Sequence, residues 1–181
     1  MDDVTIRWAR PGLSDSDRQR SLAALSPREL DRLTVERDPD GFLQGRLMLR
    51  DLAVELGVAN PIVDATCPDC GGPHGAPRIR DSNLRVSLSR CAGAVVVAGT
   101  LGRGIGVDVE LAGADAAGVG SIARWTTIEA VLKADGRGLR VDPDAVTIDG
   151  DIAWVRGSVI RYRILTGELD PGLEVRVAVE L

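Results

Sequence analysis

Residues 84–110 carry three apolar segments in close succession, and this cadence constrains the fold more than any other feature. Leu84, Val86 and Leu88 alternate with Arg85, Ser87 and Ser89, the period of a half-buried strand. Residues 94–98 are continuously apolar, as in a central strand. Ile105, Val107 and Val109 alternate with Gly106, Asp108 and Glu110, a third strand. Ala92-Gly93 joins the first two as a hairpin, and a hairpin pairs its strands antiparallel.

Helices are expected on either side. Val4, Ile6 and Trp8 alternate as a first strand, closed by Pro11-Gly12. Ser26-Pro27-Arg28-Glu29 is a capping box with proline at the first helical position, which predicts a helix to about Arg37. Asp38-Pro39-Asp40-Gly41 reads as a break. Residues 42–56 form the longest apolar-periodic stretch, with Gly57 placed as its C-terminal cap. Residues 67–77, rich in Gly, Pro and Cys, read as loop. Residues 122–134 predict a helix stopped at Gly136. Strands follow at 146–148, 152–155, 159–164 and 175–179, with Asp149-Gly150 as a type I′ hairpin signal.

The chain has 181 residues, enough for one compact domain or two small lobes sharing a core. Its net charge of −5 argues against a general nucleic-acid binder. No run of 18 apolar residues predicts a membrane span. Met1-Asp2-Asp3 lacks the start of a secretory signal, so the cytoplasm is the expected compartment. Three cysteines, two of them in a C-x-x-C, argue against a disulfide framework. One lysine, Lys133, stands against 21 arginines.

Asp108 and Glu110 are two apart on a strand and share a face, with Val107 and Val109 turned to the core. Adjacent carboxylates repel unless a cation lies between them, and Mg²⁺ is the natural partner for such oxygens. A solvent-facing polar edge is the competing reading. Trp125, Glu129 and Lys133 fall on one helical stripe at i, i+4 and i+8. The competing reading there is a surface ion pair. Against it, lysine is a compact donor whose proton affinity can be tuned, as arginine's cannot.

In this order the residues resemble the 4′-phosphopantetheinyl transferase family, in its two-lobed, surfactin-synthetase-activating type. Ser26-Pro27-x-Glu29-x-x-Arg32 resembles the family's early helix. Phe42-x-x-Gly45-Arg46-x-x-x-Arg50 is similar to its F-x-x-G-x-x-x-x-R helix. Cys67-x-x-Cys70-Gly71-x-x-His74-Gly75-x-Pro77 resembles a loop of many actinobacterial members. Val86-Ser87-Leu88-Ser89 with Gly93 sits where the family has a serine-rich strand. Gly106-x-Asp108-x-Glu110 matches G-x-D-x-E. Trp125-Thr126-x-x-Glu129-Ala130-x-x-Lys133-Ala134-x-Gly136-x-Gly138 matches the following helix at every position but Ile128, where lysine is frequent.

The resemblance implies an α+β fold of two pseudo-symmetric lobes, residues 1–103 and 104–181. Each lobe would be a small, mainly antiparallel sheet packed with helices, with the active site in the cleft between them. It implies a magnesium-dependent transferase that moves the phosphopantetheine arm of coenzyme A to a serine of an acyl or peptidyl carrier protein, in fatty-acid, polyketide or nonribosomal-peptide biosynthesis. Asp108, Glu110 and Glu129 would hold Mg²⁺. Glu129 would act as base and Lys133 would stabilise the leaving 3′,5′-ADP. Arg32, Arg46, Gly75, Pro77, Ser89, Arg90 and Asp108 would bind coenzyme A. One chain would build the whole cleft, which implies a monomer.

The chain departs from the family at Arg90, where a histidine is usual, at Ala76, where the loop is basic, and in the short connection 111–124. These departures keep a second reading open: a protein of the same fold that binds coenzyme A or a partner without transfer. Cys67, Cys70 and His74 also have ligand-like spacing. Structural zinc needs four ligands, and Cys91 is the remaining cysteine. A tight Gly/Pro turn is the preferred reading of that loop. His74 is given no catalytic role, and Trp8 and Trp154 are expected in the core.

Overall fold

The computed structural model describes residues 4–114 and 120–181. Within them lie four α-helices and three antiparallel sheets. A three-stranded sheet has β5 (Ala94–Leu101) at its centre, between β1 (Thr5–Ala9) and β4 (Leu84–Cys91). The continuous apolar run thus becomes the central strand, as its composition predicts. Cys91 pairs with Ala94 across Ala92-Gly93, the expected hairpin. A Cβ on Gly93 would meet Leu173 Cδ2 at 3.0 Å, a tight contact to which the tip of that side chain would have to yield.

A five-stranded sheet runs in the order β6 (Ile105–Leu111), β10 (Leu173–Glu180), β9 (Tyr162–Thr166), β8 (Ile152–Val155) and β7 (Val146–Asp149). A two-stranded pair, β2 (Val63–Asp64) and β3 (Arg78–Ile79), closes the base of the cysteine loop.

The two larger sheets share a core. Val107, Val109, Val175, Val177 and Val179 pack against Ala94, Val96 and Ala98 of β5. On the outer face of the first sheet lies α3 (Pro39–Glu55), with Leu49, Leu52 and Ala53 against Val86 and Val97. On the outer face of the second lies α4 (Ile122–Asp135), with Ile128, Val131 and Leu132 against Ala153, Val155, Tyr162 and Ala178. The order is helix, sheet, sheet, helix. Each fully buried valine contributes about 1.5–3 kcal/mol by leaving water.

The structure moves several expected boundaries. The segment 13–25, left unassigned above, contains α1 (Asp15–Ala23), capped by Ser14 accepting from Asp17 N–H. Helix α2 (Pro27–Thr34) has the expected capping box but ends three residues early, at β-branched Thr34-Val35. Asp38-Pro39 starts a helix instead of breaking one. Asp38 caps α3 by accepting from Gly41 N–H, and Pro39 occupies the first turn, where no N–H is needed.

The strand expected at 159–164 is β9 at Tyr162–Thr166, with Val159 exposed. The hairpin at 149–152 turns on Gly150-Asp151 with positive φ at Gly150 alone, the type II′ pattern, not type I′. Among the described residues no helix is long and apolar enough to cross a membrane.

Candidate active site

Gly106 determines where the site forms. A Cβ there would stand 1.9 Å from Ala130 O and 2.5 Å from Ala134 N. Only glycine lets the backbone of α4 lie directly on β6. That contact carries Glu129 and Lys133 of α4 to Asp108 and Glu110, two and four residues along the same face of β6. The other edge of β6 rests on side chains of β4. Ser87 Oγ accepts from Val107 N–H at 3.0 Å, and Ser89 Oγ donates to Asp108 Oδ1 at 2.7 Å.

Lys133 is the hub. Its ammonium donates to Asp108 Oδ1 at 2.6 Å, Ser89 Oγ at 3.0 Å and Val107 O at 3.2 Å. Glu129 Oε2 lies 3.8 Å away, one helical turn back. Asp108 is only 2% exposed, so the solvent-facing reading of the carboxylate edge fails at this residue. With Leu88, Ser89, Arg90 and Glu110, these groups line a cleft of about 330 Å³.

The charges in this cleft are unbalanced. Three carboxylates face the Lys133 ammonium and the Arg90 guanidinium, and Arg90 is already paired with Glu36 at 3.4 Å. Burial raises the Glu110 pKa, and the Asp108 charge raises it further against the opposing pull of Lys133. Burial likewise raises Glu129, followed by Asp108, with Lys133 partly offsetting them. Asp108 Oδ2 is buried and has no hydrogen-bond partner, which an isolated protein rarely tolerates.

An oxygen-only donor set with surplus negative charge and an unused buried oxygen fits a hard divalent cation. The donor atoms of Asp108, Glu110 and Glu129 do not all lie within 4.8 Å of one another, as those of Cys67, Cys70 and His74 do. Two ligands of one Mg²⁺ stand at most about 4.2 Å apart, so as placed the three carboxylates do not all reach a single ion. Mg²⁺ keeps several waters and would be held directly by one or two of them and through water by the rest.

The cleft continues past Lys133 into a groove of about 480 Å³ between the cysteine loop, β4 and the C-terminal end of α4. Gly75 and Pro77 line it, as do Arg78, Arg137 and Arg140. A Cβ on Gly75 would stand 2.6 Å from Thr66 O, so the loop folds on itself there. Ala76 contributes no charge to this wall, and Arg78 supplies a cation two residues on. Lys133 also borders a neighbouring hollow of about 500 Å³ that contains Arg78 and Arg80. Arg137 and Arg140 escaped the sequence reading because nothing in their spacing ties them to the cysteine loop. The ion pair of Arg140 with Asp69, at 2.5 Å, is long-range.

Arg32 and Arg46 sit apart from the cleft. Arg46 is buried and contacts Glu29 at 2.8 Å, out of hydrogen-bond alignment, and its guanidinium lies over the Phe42 ring at 4.7 Å. Arg50 donates to the other oxygen of Glu29 at 3.2 Å. The pair of arginines around Glu29 thus joins α2 to α3, a core role the sequence motif did not reveal. Arg32 and Arg90 share Glu36, at 2.9 and 3.4 Å. Arg90 therefore links the cleft to the segment between α2 and α3. Residues 115–119, in the middle of the short connection 111–124, lie outside the described residues.

In the cysteine loop, Cys70 Sγ and His74 Nε2 are 3.0 Å apart. Backbone N–H groups of Cys70 and Asp69 turn toward Cys67 and lower its thiol pKa. Cys91 packs instead against the core shared by the two sheets, so it is not a fourth member. Trp8 packs on that same core, as expected, whereas Trp154 is half-buried beneath the Arg161 guanidinium at 4.7 Å. Compared with protein-family models and with curated proteins, the chain matches none.

Proposed function

We propose that this protein transfers the 4′-phosphopantetheine arm of coenzyme A to the serine of an acyl or peptidyl carrier protein. The observation that carries this reading is the meeting of Asp108, Glu110, Glu129 and Lys133 in one cleft continuous with an arginine-lined groove. In this reading the two packed sheets with their helices are two lobes and the groove is the cleft between them. A single chain builds that cleft, so the working unit is a monomer.

Asp108, Glu110 and Glu129 would hold Mg²⁺, which supplies neutralisation of a pyrophosphate when bound. Arg78 gives the groove positive charge for a nucleotide diphosphate, and Arg137 and Arg140, paired with Asp135 and Asp69, would have to exchange those carboxylates for phosphate. Glu129, at the cleft one helical turn from Lys133, would accept the proton of the attacking serine hydroxyl. The serine oxygen forms its bond to the phosphorus that bears the pantetheine arm, and the bond from that phosphorus to 3′,5′-ADP breaks. Lys133, whose ammonium is held by Asp108, Ser89 and Val107, would offset the charge of the departing phosphate from beside it, and would donate to it only by exchanging one of these acceptors. Asp108 and Ser89 position that ammonium.

Arg90 favours a second reading. Its guanidinium is engaged by Glu36 and, at 3.7 Å, by Asp38, so it is less free to grip a phosphate. A protein that binds coenzyme A without transfer fits that pairing. Calorimetry separates the binding half of the account. Coenzyme A should bind more tightly with Mg²⁺ present, and Asp108→Asn should remove the Mg²⁺ dependence. Binding that ignores both the metal and the substitution would contradict the site as drawn. Transfer to a carrier protein then distinguishes the two readings.

A further inference from the structure

We propose that Cys67, Cys70 and His74 form a zinc site that pins the loop 65–77 against the groove. The three donor atoms lie within 4.8 Å of one another. This is the only such set of at least three Cys, His, Asp or Glu donors among the described residues. Spacing alone does not produce this. The backbone must also fold back, and it does so by a specific route. Gly71 N–H donates to Cys67 O at 2.9 Å, and Cys67 N–H donates to Gly72 O at 2.7 Å. Gly71 adopts φ +72°, a conformation open to glycine at little cost. Gly72 N–H then points at Cys70 Sγ, 3.4 Å away. An N–H aimed at sulfur stabilises a thiolate, the form that binds metal.

Soft sulfur with one imidazole selects Zn²⁺ over Mg²⁺ or Ca²⁺. The site is therefore chemically separate from the all-oxygen cleft at Asp108. Three protein donors leave the fourth tetrahedral position, which a closed structural site would fill from the protein, to water, so this is an open site of three protein ligands. Asp69 Oδ2 lies 4.0 Å from Cys67 Sγ but is engaged by Arg140 at 2.5 Å and is not among the clustered donors. Cys91 lies in the core away from the loop.

Zinc binding displaces the two thiol protons and closes the loop with two Zn–S bonds and one Zn–N bond. The effect reaches the groove because Cys67, His74, Gly75 and Pro77 all line it. The loop is otherwise tied down by few contacts, among them Arg28 Nη1 to Gly71 O at 3.3 Å. In small or loop-rich segments a metal of this kind replaces a missing core.

The test is independent of the transferase reading, since it needs neither coenzyme A nor a carrier. Protein purified without chelator should contain zinc equimolar with the chain. Metal-free protein titrated with Co²⁺ should develop the visible bands of a tetrahedral complex and a near-ultraviolet thiolate charge-transfer band. Cys70→Ser should abolish the charge-transfer intensity from that sulfur and the equimolar zinc, with the far-ultraviolet circular dichroism unchanged because Cys70 is exposed. Cys91→Ser, as the control, should keep both. Substoichiometric zinc with only the spectrum of hydrated Co²⁺ would overturn the proposal. So would a Cys67–Cys70 disulfide in freshly reduced and repurified protein, or metal content that survives Cys70→Ser with His74→Ala.

Discussion

Glu129 is more costly to ionise in the folded chain than in the unfolded one, because burial and the Asp108 charge raise its pKa. The sign of its effect on stability follows. When the folded pKa is the higher, the folded state binds more protons between the two values, so stability is lost as pH rises through the folded pKa. At neutral pH in chelator, Glu129→Gln should therefore melt at a higher temperature than the natural chain. The gain should fade as pH falls toward the ordinary carboxyl value of about 4.3 and vanish below it, where Glu129 is neutral in the folded and the unfolded chain alike. A variant that melts lower at neutral pH and higher in acid would contradict the electrostatics. The Glu129–Lys133 pair was legible because one helical turn separates the two residues. The burial of Arg46 was not. Its partner Glu29 lies on another helix, and no local pattern distinguishes a core arginine from one that faces a phosphate.

Between β6 and α4 the decisive contact is backbone on backbone. A methyl at Gly106 would overlap Ala130 O outright, and no side chain can move aside to relieve it. Gly106→Ala should cost about 3 kcal/mol or more, the upper part of the overpacking range, read by urea unfolding. It should also weaken coenzyme A binding by shifting Glu129 and Lys133. A neutral substitution would mean α4 sits farther from β6 than described.

Elements with strong apolar periodicity, such as β4, β6 and α4, were readable from the sequence within a residue or two, and β5 runs three residues past its apolar run, to Leu101. Helix α1 was not, because it is mostly polar and touches the core mainly through buried Ser21, which donates to Leu43 O at 2.8 Å. Its one legible sign was the Ser14-x-x-Asp17 cap. Asp38-Pro39 misled because proline serves equally as a breaker and as a first-turn residue.

Across the whole molecule, two sheets share one core, and their outer faces are covered by α3 and α4. The α2–α3 side is fastened by a buried carboxylate between two arginines. Burial lowers the pKa of both Arg46 and Arg50, and Glu29 opposes that shift. Glu29→Ala leaves two buried cations unpaired and should cost about 3–5 kcal/mol in chemical denaturation. A loss below about 1 kcal/mol would show the arginines reaching solvent instead. The α+β class and antiparallel pairing were legible from strand spacing. The layering of one sheet on the other was not, since Val96 and Val177 meet only through tertiary packing.

The central claim is that the cleft at Asp108 performs a magnesium-dependent transfer, and the intact mass of the acceptor measures it directly. Several carrier proteins would be incubated with this protein, coenzyme A and Mg²⁺. The account predicts that at least one gains the mass of a single phosphopantetheine arm. The gain should be lost with chelator, with Glu129→Gln, and when the carrier serine is replaced by alanine. An unchanged mass on every carrier, with coenzyme A still bound, would contradict transfer and leave a binding protein.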